Sequence, residues 1–90
     1  MTFKSINPAT GELLASYELF QPAEVQDIVQ RSIRAQRLWF DTDLEERARY
    51  LNVAHDHLLR NREQYAGLMS REMGKIYKQG IAEIDKCAWA

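Results

Sequence analysis

The ninety residues hold one cysteine, Cys87, and two prolines, and no uninterrupted apolar run extends beyond a few positions. Each scarcity excludes something. A single thiol rules out an internal disulfide and suits a reducing compartment. The short apolar runs rule out a transmembrane helix, which needs about twenty consecutive apolar residues. The opening "MTFKSINPATG" has neither the apolar stretch nor the small-residue cleavage site of a signal peptide, so a cytoplasmic location is expected. Charge of one sign is also missing. The formal net charge is -1 and the twelve basic residues are interleaved with acids, which argues against a nucleic-acid or membrane partner. Nucleotide-binding and hydrolase signatures are absent as well. No G-x-G-x-x-G follows a strand, no G-x-x-x-x-G-K-[ST] or G-x-S-x-G occurs, and "MGKIYKQG" has only a superficial likeness to a phosphate loop.

What is present describes a globular chain. A hydrophobic share of 46% and a charged share of 28% are not those of a disordered or collagen-like polypeptide. A domain of this size buries only roughly 60 to 65% of the surface its unfolded chain exposes, so a marginal core is expected.

The segment "LLASYEL" alternates, with Leu13, Ala15, Tyr17 and Leu19 on one side and Leu14, Ser16 and Glu18 on the other, which predicts a half-buried strand. "FKSIN" precedes it, and the turn chemistry of "NPATGE" between them predicts a β-hairpin over residues 1–20. From Pro22 the period becomes helical: Val25, Ile28, Val29 and Ile33 recur at three- and four-residue steps and lead to Trp39 and Phe40. A second helix opens where Thr42 with Glu45, or Asp43 with Glu46, has capping-box spacing. Its stripe is Leu44, Ala48, Leu51, Ala54 and Leu58. Asn61 with Gln64 predicts a second cap and a third helix, whose stripe of Tyr65, Leu68, Met69 and Met73 ends at Gly74. Tyr77, Ile81, Ile84 and Ala88 predict a fourth helix, with Gly80 as a local weakness. The expected layout is therefore a hairpin and about four helices over residues 22–90, mainly α, with no repeat and no linker. Asp27 with Arg31, Glu45 with Arg49 and Asp56 with Arg60 have the spacing of helix-surface ion pairs and need no further role.

Candidate chemistry is thin. His55 and His57 flank Asp56, but residues two apart on a helix point about 200° apart around the axis and do not close on one metal ion. Cys87 has Lys86 and Asp85 beside it in sequence. Adjacent helical side chains diverge by about 100°, so neither activates the thiol, and a small half-buried cysteine is expected. Trp39, Phe40, Met69, Met73 and Trp89 are expected to form packing surfaces, not a ligand pocket. No catalytic, cofactor-binding or metal-ligating residue is assigned.

Taken in order, "INPATGE", "AQRLWF", "ERARYL", "REMGK" and "GIAEIDKCAWA" resemble the opening stretch of the NAD(P)-dependent aldehyde dehydrogenase superfamily, over essentially the whole chain. Each motif is short and built from ordinary turn or helix chemistry, so the specificity lies in their order and spacing. "INPATGE" with "SREMGK" looks most like the succinate-semialdehyde dehydrogenases. Ile76 departs from the pattern, since many relatives carry proline after "GK". The resemblance implies an α/β family fold of which this chain supplies the N-terminal part, with "EIDKCAWA" lying in a helix that continues. It implies a catalytic cysteine in a G-Q-x-C type motif and a glutamate base in an E-L-G-G type motif; neither motif is present, so neither role passes to Cys87 or Glu83. In a full-length relative it implies thiolate attack on the aldehyde, hydride transfer to NAD or NADP and glutamate-assisted hydrolysis of the thioester. The partners implied are the remainder of the enzyme chain and further copies in a homo-oligomer, while this segment alone binds no cofactor. The alternative is a free-standing helical interaction module without catalysis, whose stripes would have to cover one another and whose Trp89 would have to tuck back onto them.

Overall fold

In the computed structural model, which describes residues 1–90, a β-hairpin is followed by four helices. The strands are β1, Thr2–Ile6, and β2, Leu13–Glu18; the helices are α1, Pro22–Phe40, α2, Leu44–Arg60, α3, Arg62–Met73, and α4, Tyr77–Trp89. The hairpin turn is held by Asn7. Its side-chain oxygen accepts from the Ala9 N–H at 2.9 Å, its carbonyl accepts from the Gly11 N–H at 2.8 Å, and Gly11 takes the positive φ of 76° that reverses the chain. The strands pair antiparallel with Phe3 opposite Tyr17, their rings stacked at 5.1 Å. Ser5 faces Ala15 but Ile6 faces Leu13, so the register slips at Leu14. The unbroken alternation expected of this strand fails there, because a bulged residue interrupts the two-residue period; Leu14 and Ala15, neighbours in sequence, are both half-buried.

Several helix starts and stops have a local cause. Pro22 occupies the first position of α1, and Glu24 reaches back to accept from the Gln21 N–H at 2.6 Å. Of the two caps available to α2, Asp43 is the one used. Its carboxylate accepts from the Glu46 N–H at 2.8 Å, while the Thr42 hydroxyl donates back to the Leu38 carbonyl at 3.1 Å. Arg47 then closes α1 from outside, its guanidinium donating to the carbonyls of Phe40 and Thr42, each at 2.9 Å. The break at Asn61 is present, but by a different device from the expected cap. Its amide donates to the His57 carbonyl at 2.9 Å, so it finishes α2 and does not cap α3. Gly74 ends α3 in the left-handed conformation, φ 67°, its N–H bonded to the Ser70 carbonyl at 3.1 Å.

Packing is concentrated at one end of the chain. α4 lies against both α3 and α2, and α3 touches β1, where the Ser5 hydroxyl donates to Glu72 at 2.6 Å. Gly80 is where α3 and α4 approach most closely, and so it is not the weakness its helix propensity suggested. A Cβ added there would stand 3.1 Å from the Ala66 Cβ and 3.2 Å from its Cα. The buried residues are Ala66 on α3 and Gly80, Ile84 and Ala88 on α4. By contrast α1 buries no residue and is joined to the rest chiefly at its end, through Arg47 and a tilted Trp39–Tyr50 contact at 5.6 Å.

The result is a flattened arrangement of 47 × 37 × 14 Å. Its radius of gyration is 17.4 Å, against about 12 Å for a compact chain of this length. Its accessible surface is 7711 Å², against about 5,400 Å² for a folded monomer of this mass. Only about half of the unfolded surface is therefore buried, less than the 60 to 65% expected, because α1 and the hairpin pack little against the other helices.

Candidate functional site

The chemistry-bearing side chains are dispersed. His55 and His57 share α2 but turn to different neighbours, as their spacing requires. His55 Nδ1 bonds the Ala88 carbonyl oxygen of α4 at 2.6 Å, and since a carbonyl only accepts, that nitrogen carries the proton. His57 Nε2 bonds the Tyr65 hydroxyl of α3. Both histidines thus tie helices together, and nowhere do three or more His, Cys, Asp or Glu side chains gather around one point.

Cys87 is exposed, which corrects the half-buried thiol expected of it. The buried face of α4 is Gly80, Ile84 and Ala88, and Cys87 stands at the edge of that face, about 100° round the axis from Ala88. The carboxylates nearest in sequence are engaged elsewhere: Glu83 pairs with Lys75 at 2.6 Å, and Asp85 with Arg62 at 3.1 Å. The glycine-lysine segment is likewise accounted for structurally. Gly74 closes α3 and Lys75 is committed to Glu83, so "MGKIYKQG" is a helix-to-helix junction. Among the three expected surface pairs only Asp27 with Arg31 forms, at 2.9 Å.

No enclosed cavity receives a substrate. The surface depressions are open to solvent; one of about 370 Å³ runs along α2 between Glu46, Arg49, Tyr50 and Val53, and one of about 380 Å³ lies between Met69, Met73, Lys75 and Glu83. Neither joins a nucleophile to a base. Nor do these residues fit a dinucleotide, which is held where a glycine-rich turn leads from a strand into a helix N-terminus. The two positive-φ glycines lie in a hairpin turn and at a helix end. The first turns of α1 and α2 are already served by Glu24 and Asp43.

What the chain does present is apolar surface. Val25, Val29 and Ile33 on α1 are exposed, as are Phe40, Leu44, Leu51, Val53 and Met73. The aromatic and methionine side chains form no internal core: Trp89 is 84% exposed and Phe40 71%. Isolated exposed apolar residues are ordinary, but here they are numerous on a chain that buries only four residues.

The aldehyde dehydrogenase family model matches residues 1–90. The chain belongs to the aldehyde dehydrogenase family. It is 35% identical over 91 residues to a probable NADP(+) succinate-semialdehyde dehydrogenase of Synechocystis sp., covering 98% of this chain and 19% of that protein. It is 36% identical to an NADP-dependent glyceraldehyde-3-phosphate dehydrogenase of Streptococcus equinus, over 90% of this chain and 17% of that one. Malonate-semialdehyde dehydrogenase 1 of Geobacillus kaustophilus matches at 35% over 94% of this chain and 17% of its own. A solved structure described as "Structural insights into cofactor and substrate selection by Gox0499" superposes with a TM-score of 0.91 at 30% identity, over 98% of this chain and 20% of that one. The hairpin and four helices therefore have the aldehyde dehydrogenase-like fold, as its N-terminal part. The chain spans about a fifth of the length of these relatives. The motifs carrying the resemblance fall in the order of the elements: "INPATGE" in the hairpin turn, "REMGK" at the end of α3, and "GIAEIDKCAWA" along α4.

Proposed function

We propose that these ninety residues are the N-terminal segment of an aldehyde dehydrogenase that oxidises succinate semialdehyde to the carboxylic acid with NAD(P)+. In this reading residues 1–90 are an incomplete domain. The observation that carries it is the family match across the whole chain combined with an apolar surface that the chain leaves uncovered. The succinate-semialdehyde assignment rests on the printed activities of several relatives, which also name NADP(+). Malonate-semialdehyde and glyceraldehyde-3-phosphate enzymes match as well, and these are the competing substrates. The segment's part in the reaction is indirect. Its helices pack against the remainder of the enzyme, which supplies the catalytic cysteine, the glutamate base and the cofactor site. Homo-oligomeric assembly in the cytoplasm belongs to the same proposal.

The test is NADP+ and NAD+ reduction by the chain with its downstream sequence attached, with the three aldehydes compared at equal concentration. The longer protein is expected to favour succinate semialdehyde, and residues 1–90 alone to give no turnover. A preference for either other aldehyde overturns the substrate, and turnover by residues 1–90 alone overturns the division of labour. The alternative of a self-sufficient interaction module is disfavoured by Trp89, which that reading needs folded inward and which is exposed.

A further inference from the structure

We draw no further inference here: the strongest candidate, the apolar stripe of Val25, Val29 and Ile33 along α1, is an unpartnered helix face, and nothing in the structure shows what covers it.

Discussion

α1 and α4 are both amphipathic helices with a three- and four-residue apolar period, yet α4 buries Gly80, Ile84 and Ala88 while α1 buries nothing. The difference is not in the pattern but in the neighbours. α4 has α3 on one side and α2 on the other, and its small residues let α3 come close. α1 has larger apolar side chains and meets the rest of the chain mainly at its C-terminal end. An amphipathic period states that a helix has a face to bury; it does not state which part of a protein buries it.

Substitutions at the two helices should separate them. The largest effect is expected at Gly80→Val, which drives branched carbon into the Ala66 backbone, already 3.2 Å from an added Cβ. A loss of about 2 to 3 kcal/mol is expected, read as a lowered urea midpoint of the helical circular dichroism signal. An unchanged midpoint would mean that the α3–α4 contact is not close. Ile84→Ala removes the one large side chain of the core, 5% exposed, and should cost about 2 kcal/mol, toward the low end for such deletions because the layer is thin. Asp43→Ala should cost about 1 kcal/mol through the lost cap of α2, with Thr42→Ala clearly less. Equal losses at the two positions would show that the capping assignment is wrong. Val29→Asp in α1 should change the stability of residues 1–90 by less than about 1 kcal/mol, because about half of its side chain is already in solvent. In a chain carrying the proposed remainder of the enzyme, the same change should lower the yield of soluble, active protein severely. Equal tolerance in both settings would remove the reason to regard α1 as a packing face. Smallest of all, Asp27→Ala should shift the midpoint by less than about 0.5 kcal/mol, since its bond to Arg31 is an exposed surface pair.

Much of the local structure was legible from residue types. Pro22 at a helix start, Asp43 with Glu46, Gly74 as a left-handed stop and the Asn-Pro and Thr-Gly turn all act on their own few neighbours, and those neighbours are adjacent in sequence. What was not legible depends on contacts across the chain. Gly80 looks like a weak point in a helix until Ala66 of α3 is placed against it. Asn61 marks a helix break correctly, but whether its amide serves the helix before or after it depends on the backbone angle at the junction. Leu14 shifts the hairpin register because of how six residues pair with five, and Cys87, at the edge of the buried face of α4, is left exposed because no neighbour covers that edge. Of the candidate residues, the divergence of His55 and His57 was legible from their spacing, and in the structure they bond Ala88 and Tyr65 separately. The family relation lay in the order of five short motifs, each built from ordinary turn or helix residues.

The most direct test is thermal unfolding of residues 1–90 alone, followed by tryptophan fluorescence from Trp39 and Trp89 over a hundredfold range of protein concentration. If the apolar face of this segment is meant for the rest of a larger enzyme, the transition should be broad or should move with concentration as the uncovered surfaces associate, and Trp89 should emit as a solvated indole in dilute solution. A sharp transition independent of concentration, from a monomer whose Trp89 emission is that of a buried ring, would contradict the account.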